Sequence, residues 1–240
     1  MAYVPRIYLD QPLAVGQSAV LPAGALKHLL KVLRLGAGDA VQLFNGDGLQ
    51  YDATLEVDKK QGAAAIHAVN DGPARGADIC LALGVSRGDR MDYALQKCTE
   101  LGVAAIQPLW TERGNTRIPA DRLEKKRQHW HNVMISASEQ CGRCDVPTLH
   151  AADALSNWIQ QATPGFVLTP TAEQPLSRHP HWQAGHITVL VGPESGLSES
   201  EVTRALGQGW HAASLGPLVL RTETAASVAV ATLRLRDGML

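Results

Sequence analysis

Three segments in the C-terminal third end an apolar run on glycine or proline and then carry polar side chains. Phe166-Val167-Leu168-Thr169 runs into Pro170, and Val189-Leu190-Val191 into Gly192-Pro193-Glu194-Ser195-Gly196. Ala213-Ser214-Leu215 runs into Gly216-Pro217-Leu218-Val219-Leu220-Arg221-Thr222-Glu223-Thr224. Such apolar runs read as buried strands, and open α/β sheets hold ligands beyond the carboxyl ends of their strands. Glycine there lets main-chain amides and carbonyls come close to a flat ligand. That suits an adenine ring read by backbone hydrogen bonds. Ordinary connection explains any single Gly-Pro pair, but three such loops near one edge weigh against it. Glu194 is the only ionisable side chain within Gly192–Gly196. It is a candidate proton acceptor if its pKa is raised; the alternative is that it caps the next helix or orders the loop. Arg221 can stabilise negative charge developing on an oxygen, or pair with Glu223 or Glu194.

Other charged clusters are less specific. Lys27, Lys31 and Arg34 are spaced four and three apart, one stripe on a helix, suited to phosphate contact. A solvated face is the competing reading there. It is the preferred one for Arg122, Lys125, Lys126 and Arg127, which have Glu124 among them. Cys141-Gly142-Arg143-Cys144 has redox or half-zinc spacing. No second Cys or His pair lies nearby at metal spacing, and Cys80 and Cys98 fall in apolar patterns. His129 and His131 are two apart and do not share a helix face. His179 and His181 read as exposed loop residues. No metal is expected.

The elements that must hold these residues follow from pattern. Ile7–Leu9, Ala40–Phe44, Gln50–Val57 and Ala63–Val69 read as strands, with Asn45-Gly46-Asp47-Gly48 as a turn. Asn70-Asp71-Gly72-Pro73 breaks the chain, giving a small β-barrel-like domain over 1–72 and a second domain over 73–240. Beyond the break, strands Ile79–Val85, Val103–Leu109, Phe166–Thr169 and Ile187–Val191, and a last one ending at Leu215, alternate with helices. Those helices are Met91–Leu101, Asp121–Gln140, one starting at Ser198 with Glu201 as a capping box, and Thr222–Arg236. This is α/β grammar with a largely parallel sheet.

Composition bounds the function. Of 240 residues, 45% are hydrophobic and 19% charged, enough for a real core, and the net charge of -1 gives no global pull toward nucleic acid. Any RNA surface must be local. No apolar run approaches the roughly 20 residues of a membrane span, and the N-terminus lacks a signal-peptide core, so the expected location is the cytoplasm. No Gly-x-Gly-x-x-Gly follows a strand, no Gly-Lys-Ser/Thr loop is present and no Gly-x-Ser-x-Gly elbow occurs. Dinucleotide folds, P-loop NTPases and nucleophile-elbow hydrolases are therefore not supported.

The strings Val191-Gly192-Pro193-Glu194-Ser195-Gly196-Leu197 and Leu215–Ala225 resemble the two cofactor loops of the bacterial 16S ribosomal RNA uridine-N3 methyltransferases, within the SPOUT superfamily. The resemblance extends to Lys97–Val103, Ser138–Arg143 and His28–Leu35, in family order. Ser195 departs from it, since the family usually has glycine there. If that position needs a positive φ, serine bears a conformational cost. The resemblance implies a PUA-like barrel and a SPOUT-type trefoil-knotted parallel sheet with helices on both faces. It implies a homodimer that takes S-adenosylmethionine (SAM) and methylates N3 of a uridine in 16S rRNA, free or in the assembled small subunit. Leu168, Thr169, Gly192, Pro193, Glu194, Gly196, Leu215, Gly216, Leu218, Leu220, Arg221 and Thr224 would hold the cofactor. Glu194, Arg221 and, by analogy with an arginine of related knotted enzymes, Arg143 would serve catalysis, while Lys27, Lys31 and Arg34 would bind RNA. The rivals are a non-catalytic RNA-binding protein on a degenerate knot and a methyltransferase acting at another RNA position. A degenerate relative would lose the glycine loops, and both are present.

Overall fold

The computed structural model describes residues 4–58, 61–74, 76–114, 118–182 and 185–240. The chain forms two compact units, Met1–Ala74 with Ile135–Val146, and Arg75–Met134 with Pro147–Leu240.

The first unit contains β1 (Arg6–Tyr8), β2 (Ser18–Val20), α1 (Ala23–Lys27), β3 (Ala40–Phe44), β4 (Leu49–Val57) and β5 (Gly62–Asp71). The strand order is β1-β3-β4-β5-β2, antiparallel except where β1 runs parallel to β3. Period-two alternation buries Tyr51, Ala53 and Leu55 of β4, and all five strands feed one apolar core. β2 was not evident in the sequence because three residues carry too little periodicity. Lys27, Lys31 and Arg34 are exposed, but they do not share one regular helix. α1 passes into a π-helical turn over His28–Val32, and Arg34 adopts φ 58° beyond its end. The cause is apolar spacing. Leu29 is buried, Leu26, Leu30 and Leu33 pack beside it, and Leu35 must re-enter the same core. The left-handed Arg34 turns the chain so that the Leu35 N–H donates to the Leu29 carbonyl at 3.0 Å.

Ile135–Val146 belong to this unit through specific bonds. The Arg6 guanidinium donates to the Arg143 carbonyl at 2.8 Å, and the Tyr8 N–H to the Glu139 carboxylate at 3.1 Å. Cys144 is buried against Gly72, where an added Cβ would lie 2.8 Å from its Sγ. Cys144 therefore fills space, and it also accepts from Arg6 at 3.3 Å.

The second unit contains β6 (Asp78–Gly84), α2 (Gly88–Glu100), β7 (Ala105–Trp110), α3 (Ala120–Cys141, whose last turns join the first unit), β8 (Thr148–Leu149) and β9 (Asp153–Ala154). It continues with α4 (Leu155–Trp158), β10 (Phe166–Leu168), β11 (His186–Val191), α5 (Glu199–Gly207), β12 (His211–Ala213) and α6 (Thr222–Arg236). Every pairing in its sheet is parallel, in the order β12-β10-β11-β6-β7-β8, with β9 also on β7. Parallel strands need covered faces. Leu155, Ile159, Ala205 and Trp210 pack with Ala82, Val167 and Leu190 in one cluster, while α2 and α6 pack together and α6 lies on β6 and β11. The Ser198–Glu201 capping box forms as expected. No helix among the described residues is long and apolar enough to cross a membrane.

One buried cation ties this unit together. Arg234, 6% exposed, donates to the carbonyls of Ala77, Leu101 and Gly102 and lies 3.6 Å from the Asp237 carboxylate. Asp237 in turn accepts the Ala77 N–H. His179 is also buried rather than exposed, at 4%. It packs edge-on against Phe166 at 4.9 Å beside His181 and His211, and its carbonyl accepts from Arg236. Burial, then the neighbouring imidazoles and Arg236, holds its pKa below the usual value despite an opposing backbone bond to Ala212.

Candidate active site

The register of the parallel strands brings the three glycine-bearing loops to one end of the sheet. Val167 pairs with Leu190 and with Ala212, and Leu190 with Ala82, so β10, β11, β12 and β6 end side by side. Beyond these ends lies a cavity of about 520 Å³. That is within the usual range for a small-molecule site. Leu168, Thr169, Gly192, Pro193, Glu194, Gly196, Leu215, Gly216, Leu218, Leu220 and Arg221 all line it. Thr224 does not, although the next residue, Ala225, does. Thr224 sits in the first turn of α6, one residue round the helix from the lining position.

Local geometry explains the glycines. Gly192 has no room for a side chain, since a Cβ would lie 2.9 Å from the Leu197 nitrogen and 3.1 Å from the Gly196 carbonyl carbon. Gly216 adopts φ +107° and faces open space, so its main chain can line the cavity directly. In the loop after β11 the positive φ, 71°, falls on Gly196, and Ser195 is not in the left-handed region. Serine therefore bears no backbone penalty at 195.

Glu194 is turned toward the loop after β6. Its carboxylate accepts the Arg87 N–H at 3.1 Å and lies 3.4 Å from the Arg90 guanidinium. Partial burial pulls its pKa upward. Its own backbone N–H, the Arg87 N–H, Arg90 and the Ser86 hydroxyl outweigh that, and the net shift is downward. The raised pKa that a general base would need is not found, and the bonds are those of a loop-ordering group. Arg221 occupies the N-cap of α6, exposed at the cavity edge, and among the described residues it has no ion-pair partner. Neither Glu194 nor Glu223 takes it. Arg143 lies in the first unit, 12% exposed, with its Nε and Nη2 on the two Asp145 carboxylate oxygens at 3.1 and 2.8 Å.

Arg90 and Arg113 also line the cavity and were not singled out from the sequence. The signal was there only in part. Ser86–Arg90 reads as a polar loop after an apolar strand, but nothing in the sequence places β6 next to β11. Among the described residues no group of three or more His, Cys, Asp or Glu side chains comes together to hold a metal.

A model of the RNA methyltransferase domain matches residues 74–234, and one of the RNA methyltransferase PUA domain matches residues 21–66. The chain is 28% identical to the ribosomal RNA small subunit methyltransferase E of Buchnera aphidicola, covering 99% of this chain and 98% of that one. It is 27% identical to the protein of the same name from Bacillus subtilis, over 89% and 88%. Its fold is similar to the ribosomal RNA small subunit methyltransferase E of Neisseria gonorrhoeae, solved bound to S-adenosyl methionine, at 34% identity, TM-score 0.90 and 98% coverage of each chain. A SAM-bound protein from Legionella pneumophila is similar at 36% identity, TM-score 0.92 and 98% coverage of each chain. The chain belongs to the family of RNA methyltransferases that pair a PUA domain with an α/β methyltransferase domain.

Proposed function

We infer that this chain uses SAM to methylate N3 of a uridine in 16S rRNA of the small ribosomal subunit. The observation that carries the reading is the cavity where the ends of β10, β11 and β12 meet. Its volume, its apolar walls from Leu168, Leu215, Leu218 and Leu220, and main chain exposed by Gly192 and Gly216 fit a flat heterocycle with a polar tail. When bound, SAM supplies a methyl group made electrophilic by its sulfonium. As the N3–methyl bond forms and the sulfur–methyl bond breaks, the N3 proton leaves to water. The chain's residues have three tasks: to hold the cofactor, to align the uracil nitrogen in line with the methyl, and to offset negative charge on the uracil oxygens. Arg221, at the cavity edge and without an ion-pair partner among the described residues, is assigned the last. Glu194 keeps the loop after β11 in shape through Arg87 and Arg90; proton removal at N3 is the less supported role for it. Arg143 is assigned to catalysis by family resemblance alone. The reading carries with it the trefoil knot, a cytoplasmic homodimer visible by sedimentation, and 16S rRNA, free or in the assembled subunit, as partner.

Isothermal calorimetry without RNA tests the cofactor site. Saturable binding, one SAM per subunit or per dimer, is expected. No detectable binding at about 1 mM SAM, a free energy weaker than about −4 kcal/mol, would favour a non-catalytic RNA-binding protein.

The basic patch of Lys27, Lys31 and Arg34 should supply affinity and not chemistry. Replacing Lys27, Lys31 and Arg34 with Ala should raise the KM for RNA and leave SAM affinity and saturated turnover unchanged. Each lost phosphate contact should flatten the slope of log K against log salt by about 0.7–0.9. Lost turnover at unchanged KM would mean that the basic patch positions the base.

A further inference from the structure

Where the resembled family usually has glycine, Ser195 makes a bond that glycine cannot. Its hydroxyl donates to the carbonyl oxygen of Arg113, in the loop that follows β7. The same loop is held one residue earlier by an independent set of bonds. The Glu112 N–H donates to the buried Glu201 carboxylate at 2.8 Å. The hydroxyls of Ser198 and Ser200 donate to the Glu112 carboxylate at 2.5 and 2.7 Å, with Arg204 at 4.0 Å. Both hydroxyls converge on Glu112 Oε2, and the Arg113 charge acts on this carboxylate only as a weak coulombic neighbour, outside ion-pair distance.

The Arg113 side chain lines the cavity and is exposed. Among the described residues its side chain makes one hydrogen bond, from Nη1 to the Leu197 carbonyl at 3.3 Å, a neutral partner at long range. A guanidinium has five donors in a fixed fork, so most of its capacity is unused. Of the two other arginines that line the cavity, Arg90 lies 3.4 Å from the Glu194 carboxylate, and Arg221, at the N-cap of α6, is assigned above to the uracil oxygens. Among the described residues Arg113 has no carboxylate partner. A cation on an exposed rim, held by its backbone and only weakly offset by the Glu112 charge, is suited to a phosphate, which it can grip in bidentate fashion.

We propose that Ser195 is a positioning residue whose hydroxyl latches the Arg113 backbone, keeping the Arg113 guanidinium at the cavity rim where it takes a phosphate of the RNA substrate. The proposal rests on the RNA-methyltransferase reading above. It assigns specificity at this rim to a residue pair that the glycine-bearing members of the family cannot form. Because Ser195 is not at positive φ, alanine and glycine at this position should both keep the loop's shape and lose only the latch.

The test is steady-state methyl transfer with 16S RNA or small subunits, together with direct RNA and SAM binding. S195A and S195G should each raise the KM for RNA about 3–10-fold, the loss of one neutral hydrogen bond. Because Ser195 also lines the cofactor cavity, SAM affinity is read separately, and it and saturated turnover should each change less than the KM for RNA. R113A should raise the KM about 10–100-fold, the loss of a charge-assisted bond, and R113K should recover part of it. The decisive arm is the double variant: S195A added to R113A should cause no further rise, because the group that the latch positions is gone. A further rise equal to that of S195A alone would overturn the proposal. So would weakened SAM binding with an unchanged KM for RNA, which would make the anion at this rim the cofactor's carboxylate. If the wild-type protein transferred no methyl group at all, the underlying reading would fail by itself, and RNA binding by the same variants would still decide the latch.

Discussion

Gly216→Val is expected to weaken SAM binding by about 10–100-fold while the protein stays folded. Gly216 sits at φ +107°, where a β-branched residue is a genuine outlier. Nothing lies within 4 Å of a Cβ built there, so the substitution meets no wall of the protein. Its whole effect must come through the backbone and through the cavity that Gly216 lines. Holding valine in that conformation costs about 1–3 kcal/mol. A loop that relaxes instead would turn its peptide and withdraw the main-chain groups offered to the ligand. Gly216→Ala should be milder, since alanine tolerates positive φ better. Calorimetry with thermal melting separates the two effects. A folded valine variant with wild-type affinity would remove this loop from the site.

Arg234→Met should destabilise the second unit by about 3–5 kcal/mol, the usual result of removing one partner of a buried ion pair. The side chain of Arg234 is 7% exposed and that of Asp237 13%, so water cannot replace the missing charge. The loss also leaves the carbonyls of Ala77, Leu101 and Gly102 without their donor. Those carbonyls belong to the entry of β6 and the end of α2, so the damage spans three elements. Urea unfolding followed by circular dichroism measures it. Adding Asp237→Leu should restore part of the stability, because the second charge no longer lies buried and alone. A loss under about 1 kcal/mol would place the pair in the class of exposed salt bridges, which contribute little.

Much of this fold is legible locally. The capping box at Ser198 and Glu201, the turn at Asn45–Gly48 and the span of α6 depend on residues a few positions apart. So do the three strand ends that became the cavity. What escaped reading depends on distant partners. Arg234 looks like an ordinary cation in the last turn of a helix, and only packing against segments more than 130 positions away buries it. Gly84 ends an apolar strand with no sign of function. Yet a Cβ there would come within 2.5 Å of the Pro193 nitrogen, so the loop after β11 can lie where it does only because residue 84 lacks a side chain. The spacing of Lys27, Lys31 and Arg34 predicts a regular helix, but Leu35 re-enters the core, and the chain takes a π turn and a left-handed Arg34 instead. Ser195 suggested strain because glycine is usual there, whereas the positive φ had moved to Gly196. His179 read as a polar loop residue and is packed under Phe166 and Arg236.

The central claim is methyl transfer to one nitrogen of one base. It is tested most directly by incubating the protein with small-subunit RNA and methyl-labelled SAM, then digesting the RNA to nucleosides for mass spectrometry. The account predicts a single labelled nucleoside, a uridine carrying the methyl on N3. Label on another base or on ribose, or none despite saturable SAM binding, would contradict it.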